Sequence, residues 1–461
     1  MPILGAYMVP HPPLIVKEVG KGKELAITQT IEAYKEVARR VAALKPDTIV
    51  ITTPHSIMYA DYFHISPGYS AKGDFGQFGT AGVSFHVDYD EEFTSRLTNF
   101  ADENDFPAGT LGEENKSLDH ATMVPLYFID QEYTEYKLVR IGLSGESYLA
   151  HYTLGNYIRK VSDDLKRNIV FIASGDLSHR LTEDGPYGYQ KEGPEYDKKI
   201  MEIMSSADFM ELFHFDESFC DRAAECGHRS FLIMAGALDR TAVKAEQLSY
   251  EGPFGVGYGI CAYEMNGLDN SRNFGERYDE ECKKELEARK ESEDEYVRLA
   301  RQSMEYYIIN GRRLRTPDSL PNNMISKRAG TFVSIKKNGK LRGCIGTTAP
   351  TTGSIAEEII NNAISAATKD PRFSPITEDE LKELVISVDV LGPTEPITSK
   401  EELDVKRYGV IVAKGRRRGL LLPNLEGVDT VEEQIAISKQ KAGIDEDEEV
   451  TLERFEVIRH V

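Results

Sequence analysis

Two kinds of hydrophobic pattern follow each other in the first part of the chain. Apolar residues from Ile3 to Met8 form a short run, which predicts a buried strand. From Lys23 to Leu44 apolar residues recur at helical spacing, and residues 47–53 form another run that is rich in β-branched side chains. Strand, helix and strand in this order predict a βαβ unit with parallel strands and a right-handed crossover.

The same alternation continues for about half of the chain. Further strands are predicted at residues 137–143, 168–173 and 257–263, and further helices at residues 148–165 and 225–238. Because strands and helices alternate, we expect an α/β domain with a mainly parallel sheet over residues 1–268.

The pattern changes beyond that domain. Charged residues of both signs crowd between Gly267 and Arg301, which predicts a loop and then a solvated helix. Two apolar runs then flank Asn338 and Gly339. This pair is typical of a β-hairpin, because a type I′ turn needs a positive φ at both central positions. Further along, helices are expected at residues 354–368 and 431–442, strands at residues 384–391 and 450–458, and a hairpin at residues 409–422. They predict an α+β domain with a largely antiparallel sheet over residues 278–461.

Charge and cysteine content exclude several classes of protein. The net charge of -21 repels phosphate backbones, so we expect no nucleic-acid partner. The five cysteines are odd in number and none forms a CxxC pair, which argues against a disulfide framework and a structural zinc site. No segment resembles a secretion signal or approaches the ~18 apolar residues of a membrane span, so we expect a cytoplasmic protein.

Three histidines occupy equivalent places in this predicted fold. His11, His55 and His179 each follow the carboxyl end of a predicted parallel strand. The loops at this edge of an open α/β sheet converge, and ligands bind there. A lone histidine is more often structural, but three at matching strand ends indicate one shared site.

A metal ion is the expected occupant of that site. His11 and His55 are the candidate ligands, and a third is expected from Glu225 or Cys226, which precede a predicted helix. Two imidazoles and a carboxylate suit Fe(2+), whereas a thiolate suits zinc, copper or ferrous iron. His179 could then move protons at neutral pH, and His120 could orient an oxyanion.

Four motifs carry a resemblance to a known family. The segments HPP, PHS, LDHATMVPL and SGDLSH resemble the LigB-type class III extradiol ring-cleavage dioxygenases and the related Memo family over about residues 1–265. The resemblance implies metal ligands at His11 and His55, an acid–base residue at His179 and a substrate contact at His120. At ECGHRS the chain is more similar to Memo proteins, with Cys226 where the dioxygenases have a glutamate.

A second resemblance covers residues 280–461. The segments LRGCIG, DPRF, ISVDVL and YGVIV resemble the AMMECR domain family. The fusion is similar to proteins of the AmmeMemoRadiSam system, which implies association with a radical S-adenosylmethionine enzyme. Arg342, Cys344 and Thr347 could form a small polar site, although Cys344 is expected to be a buried structural cysteine. The basic run at residues 414–418 is expected to be a solvated turn.

These observations lead to one expected function and two alternatives. The expected function is a metal-dependent oxidoreductase of the extradiol type, in which Fe(2+) binds a small phenolic substrate and dioxygen. The first alternative is a metal-binding partner of a radical enzyme without dioxygenase activity. The second is a hydrolase that uses Zn(2+). The sequence permits a homodimer without requiring one.

Overall fold

The chain forms two compact units in the computed structural model, which describes residues 2–112, 117–337, 339–425 and 427–461. The first unit comprises Met1–Glu281 and the second Cys282–Val461. Asn338, which was predicted to start a hairpin turn, lies outside the described residues. Among the described residues no helix is both long and apolar enough to cross a membrane.

The first unit combines strands and helices in alternation. Its strands are β1 (Ile3–Val9), β2 (Thr48–Thr53), β3 (Phe63–His64), β4 (Ser70–Phe75), β5 (Thr80–Asp88), β6 (Ala108–Gly109), β7 (Lys137–Gly142), β8 (Ile169–Ser174), β9 (Thr241–Glu251) and β10 (Tyr258–Leu268). Its helices are α1 (Lys17–Gly20), α2 (Thr28–Leu44), α3 (Glu91–Glu103), α4 (His120–Ile129), α5 (Tyr148–Leu165), α6 (Glu192–Ser206), α7 (Glu217–Ala223) and α8 (His228–Ala237). Helix α9 (Phe274–Ser292) contains the boundary between the units.

Six of these strands form the central sheet, in the order β7-β2-β8-β1-β10-β9. Strands β7, β2, β8 and β1 are parallel, whereas β10 and β9 are antiparallel to their neighbours. The first two strands of the chain are therefore parallel, as expected, but β8 lies between them. Because β2, β8 and β1 are adjacent, the loops after their carboxyl ends lie side by side.

Alternate side chains of the parallel strands enter two hydrophobic cores, as the period of a strand requires. Ala6, Met8 and Val50 face one core, which they share with α5 and α8. Tyr7 and Ile49 face the other core, which they share with α2 and α4. A sheet covered by helices on both faces is the architecture expected of an α/β domain.

The second unit contains an antiparallel sheet and several helices. Its strands are β11 (Thr331–Lys337), β12 (Lys340–Gly346), β13 (Leu384–Leu391), β14 (Glu395–Ile397), β15 (Tyr408–Lys414), β16 (Arg417–Leu421) and β17 (Thr451–His460). They pair in the order β12-β11-β13-β17-β15-β16, and β14 pairs with β17. Its further helices are α10 (Glu295–Asn310), α11 (Asn322–Ser326), α12 (Ile355–Thr368) and α13 (Val431–Ala442).

The prediction of fold class is confirmed at the level of two domains, the first with a mostly parallel sheet and the second with an antiparallel one. Two helix starts differ from the prediction. Residues Lys23–Ile27 form a 3-10 helix before α2, and α8 begins at His228 rather than at residue 225. The second difference leaves Glu225 and Cys226 in a loop.

Candidate metal centre

Three loops bring the candidate ligands to one edge of the parallel sheet. His11 follows β1, His55 follows β2, and Cys226 lies in the turn between α7 and α8. One ligand atom from each of these residues lies within 4.8 Å of the others. His11 is buried and Cys226 partly exposed, while His55 is exposed, so the cluster opens to solvent on one side.

The individual distances suit atoms that bind one metal ion. The Nε2 atoms of His11 and His55 are 3.1 Å apart, and Sγ of Cys226 is 3.6 Å from Nε2 of His11. Nitrogen and sulfur atoms bound to one zinc ion at about 2.1 and 2.3 Å are separated by roughly 3 to 4 Å. The donor set and its spacing therefore fit a metal ion.

The electrostatics of the cluster also fit a cation. Burial lowers the pKa of His11 well below its usual value, and the neighbouring imidazoles His55 and His120 lower it further. Although His55 is more exposed, partial desolvation of its ring likewise lowers its pKa. Neutral imidazole is the form that binds metals. Burial raises the pKa of the Cys226 thiol, and a bound cation would reverse that shift by stabilising the thiolate.

His120 lies against both metal-candidate histidines. Its ring is 4.3 Å from that of His55 and 5.4 Å from that of His11, between centroids. Burial lowers its pKa to about 4, so the ring is neutral at physiological pH. Its position at the start of α4 is fixed by Asp119, whose carboxylate accepts hydrogen bonds from the backbone N–H and hydroxyl of Thr122.

Asp119 also connects α4 to the loop that holds His55. Its carboxylate accepts a hydrogen bond from the hydroxyl of Thr53 at 2.7 Å. The hydroxyl oxygen of Thr53 in turn accepts the backbone N–H of His55 at 3.2 Å. The fully buried guanidinium of Arg140 lies 3.6 Å from the other carboxylate oxygen. One buried ion pair therefore supports the positions of two of the site's histidines.

His179 lies near the same cluster on the loop after β8. Burial lowers its pKa, a hydrogen bond to the backbone of Ala224 raises it, and the charge of His55 lowers it. The exposed ring of Tyr187 packs edge-on against the ring of His179, with 5.5 Å between the centroids. A partly exposed imidazole beside the candidate ligands is suitably placed to exchange protons with a bound substrate.

Glu225 does not join the three ligand residues. Its carboxylate accepts the backbone N–H of His228 at 2.6 Å and so caps the start of α8. Burial raises its pKa to about 7, against the lowering effects of that hydrogen bond and of Arg229. Of the two alternatives that the sequence left open, the geometry favours Cys226 as the third ligand and gives Glu225 a capping role.

His228, the next polar residue of this segment, points into the core. Its buried ring donates from Nε2 to the carbonyl of Leu212 at 2.9 Å and packs against Phe215 and Tyr148. Burial lowers its pKa to about 3. This histidine is therefore structural.

Sequence reasoning missed the residues that hold the backbone and the ring of His11 in place. The buried carboxylate of Asp176, three residues before His179, accepts the backbone N–H of His11 at 2.7 Å. Burial raises the pKa of this carboxyl to about 7. Ser174, the last residue of β8, contacts Nδ1 of His11 at 3.0 Å. The motif SGDLSH contains both residues, but only a three-dimensional arrangement shows which side chains they contact.

The polar residues singled out in the second unit do not gather into one site. Cys344 is partly exposed, so the prediction that it is buried was wrong, and its Sγ accepts the hydroxyl of Ser334 at 3.2 Å. Arg342 pairs with Glu380 at 2.9 Å. Thr347 instead donates to the buried carboxylate of Glu358 at 2.7 Å.

The basic run between β15 and β16 is largely neutralised within its own unit. Lys414 and Arg417 both pair with Glu448, at 2.6 and 2.7 Å, and Arg418 pairs with Glu453 at 2.8 Å. Residues 414–418 are exposed, and their ion pairs favour the expected solvated turn over a site for a partner.

Comparison with known proteins assigns both units. The model of the catalytic LigB subunit of aromatic ring-opening dioxygenases matches residues 5–261, which is more than half of the chain. The chain belongs to the LigB family. The AMMECR1 model matches residues 297–460, so the predicted order of a LigB domain followed by an AMMECR domain is confirmed.

Relatives of the LigB–AMMECR1 chain include proteins of both full and partial length. A protein of Clostridium acetobutylicum is 44% identical over 468 residues, covering 100% of this chain and 99% of its own length. A protein of Thermotoga maritima is 52% identical over 170 residues, covering 36% of this chain and 98% of its own. An uncharacterized protein of known structure from Pyrococcus horikoshii is 34% identical, covering 36% of this chain and 88% of its own, with a TM-score of 0.34.

Proposed function

We propose that the LigB domain is a metal-dependent oxidoreductase that acts on a small phenolic substrate with a single ferrous ion. The observation that supports this most directly is the convergence of His11, His55 and Cys226 at the open edge of the sheet. Ferrous iron accepts both imidazole and thiolate ligands. When bound, such an ion would activate dioxygen and acidify a coordinated phenol.

The protein's own residues would orient the substrate and move its proton. His179 is the proposed general base, because its ring is partly exposed and lies beside the ligand cluster. Burial keeps it neutral near pH 7, so it can accept a phenolic proton. His120 is the proposed substrate contact, because its neutral, partly exposed ring stacks on that of His55.

Oxygen consumption tests this proposal. Protein reconstituted with ferrous iron without air is expected to consume oxygen when a catechol is added. His179→Ala is expected to lower turnover by about 100-fold or more, the usual contribution of a general base, and to keep its iron. His214→Ala, which changes an exposed histidine at the surface of the same unit, is the matched control and is expected to leave turnover unchanged. Full turnover in His179→Ala would refute the assigned role.

One observation favours a second function. The third candidate ligand is a cysteine rather than a carboxylate, and mixed cysteine and histidine ligation also suits catalytic zinc. A zinc-bound water in this crevice would make the domain a hydrolase, with His179 again as the proton carrier. Elemental analysis of protein purified without added metal separates the two functions, because iron favours the first and zinc the second.

A further inference from the structure

The orientation of His11 depends on a hydrogen-bond chain that begins in helix α4. The hydroxyl of Ser174 donates to the carbonyl of Ala121 at 2.7 Å, and its oxygen lies 3.0 Å from Nδ1 of His11. His11 and Ser174 are both buried, with 1% and 0% of their surface exposed, so bulk water does not compete for these groups.

This chain determines which ring nitrogen of His11 bears the proton. A serine hydroxyl has one hydrogen, and here the carbonyl of Ala121 receives it. The serine oxygen can therefore only accept from His11, which requires the proton on Nδ1. Nε2 then has a free lone pair, and this is the nitrogen that faces His55 and Cys226. The second nitrogen of a metal-binding histidine commonly makes a hydrogen bond of this kind.

A proline explains why the carbonyl of Ala121 is available. In an α-helix this carbonyl would accept the backbone N–H four residues later. That residue is Pro125, which lies inside α4 and has no N–H. The carbonyl thus lacks its usual partner, the N–H of residue 125, and accepts the hydroxyl of Ser174.

We propose that Ser174 is a positioning residue for metal binding, and that Pro125 enables it by freeing the Ala121 carbonyl that orients its hydroxyl. The serine holds His11 in the tautomer whose Nε2 faces the other ligands. This inference rests on the proposed metal centre and assigns roles to two residues that do not themselves contact the ion.

The first test measures the tautomer without metal. Metal-free protein labelled with 15N-histidine is expected to show His11 protonated on Nδ1, by long-range proton–nitrogen NMR. Ser174→Ala is expected to shift the proton towards Nε2. A wild-type protein with the proton on Nε2 of His11 would overturn the inference. Because no ion is present, this result does not depend on whether the proposed function is right.

The second test measures zinc affinity by competition with a chromophoric chelator. Ser174→Ala is expected to weaken binding about 10- to 100-fold, as loss of a supporting hydrogen bond does at other metal sites. Ser303→Ala is the matched control, because it removes another buried serine that donates to a helical carbonyl, that of Ile360, in the second unit. Equal affinity in the two variants would contradict the role of Ser174, whereas absence of zinc binding by the wild type would refute the metal centre itself.

Pro125→Ala separates this role from a general effect on folding. Alanine restores the N–H that competes for the Ala121 carbonyl, so zinc affinity is expected to fall about threefold or more. The same change favours the helix, because proline costs about 3 kcal/mol relative to alanine inside a helix. A lower affinity without a lower melting temperature supports the proposal, and unchanged affinity overturns the role of Pro125.

Discussion

At the scale of single residues, the site depends on the different surroundings of two neighbouring side chains. Sγ of Cys226 points towards His11, whereas the carboxylate of Glu225 accepts the first backbone N–H of α8. The two residues are adjacent in the same short loop. Their roles differ because the backbone turn sends successive side chains in different directions.

Only one of these two residues is expected to affect the spectrum of a bound metal probe when it is substituted. Cobalt(II) bound by the wild type is expected to show a thiolate-to-metal absorption band in the near ultraviolet. Glu225→Gln should keep the band, because an amide oxygen can still accept the N–H of His228. Cys226→Ser should abolish it. A band that survives in Cys226→Ser and disappears in Glu225→Gln would reverse the assignment.

Asp197 provides a test of the buried electrostatics away from the ligands. Its carboxylate accepts the backbone N–H of Ser178 at 2.8 Å and the hydroxyl of Tyr250 at 2.8 Å, and burial raises its pKa to about 7. The folded state therefore holds a proton that the unfolded state has lost between about pH 4 and pH 7. Since the unfolded state binds fewer protons there, this group's contribution to stability falls as the pH rises through that window.

Asp197→Asn is expected to remove that pH dependence. The amide has no charge to bury, so the variant should gain stability relative to the wild type as the pH rises from 5 to 8. The gain at pH 8 is expected to be at least about 1 kcal/mol, the equivalent of roughly one pKa unit. Melting temperatures at both pH values check it, and a difference between variant and wild type that does not change with pH would contradict it.

At the scale of elements, two glycines allow the supporting loops to approach each other. A Cβ on Gly175, directly after β8, would lie 2.1 Å from the Cα of Gly227, directly before α8. No side chain fits in that space. The close contact brings Cys226 next to Asp176, whose carbonyl oxygen lies 3.7 Å from Sγ.

Gly175→Ala is therefore expected to displace the turn that bears Cys226. Zinc affinity should fall about 10-fold or more, and the melting temperature should also fall, because overpacking typically costs about 1–3 kcal/mol. Gly82→Ala is the matched control, since a Cβ at that position would meet nothing within 4 Å. Equal zinc affinity in the two variants would show that the close approach does not position the ligand.

The elements that surround the site were largely predictable, because long periodic segments such as Thr28–Leu44 and Tyr148–Leu165 bury one face. The strand ends of β1 and β2 could also be located, so His11 and His55 could be placed together. The choice between Glu225 and Cys226 as the third candidate ligand could not be made, because the direction of a side chain in a loop depends on local dihedral angles and packing. The antiparallel direction of β10 was not apparent from its sequence, since buried parallel and antiparallel strands are both apolar.

At the scale of the whole molecule, the chain joins a LigB domain to an AMMECR1 domain. The association with a radical S-adenosylmethionine enzyme implied by this fusion stays a prediction. The basic run at residues 414–418 is a poor candidate for the contact, because Lys414, Arg417 and Arg418 already form ion pairs. The full chain is expected to capture such an enzyme in a pull-down. The variant Arg417→Gln is expected to capture it with equal efficiency.

The acidic character of the chain also affects which partners and substrates it can bind. A net charge of -21 favours partners and substrates that are neutral or basic, or binding in which a metal ion offsets local repulsion. An exposed His55 beside a buried His11 leaves one side of the centre accessible to a small molecule. The centre is therefore the feature of the molecule on which the functional proposal depends.

X-ray absorption at the metal edge, on full-length protein purified without added metal, tests that centre most directly. The expected result is one ion per chain with imidazole nitrogens at about 2.1 Å and a single sulfur at about 2.3 Å. The sulfur contribution should disappear in Cys226→Ser. Protein that contains no stoichiometric metal, or a metal without a sulfur neighbour, would contradict the account.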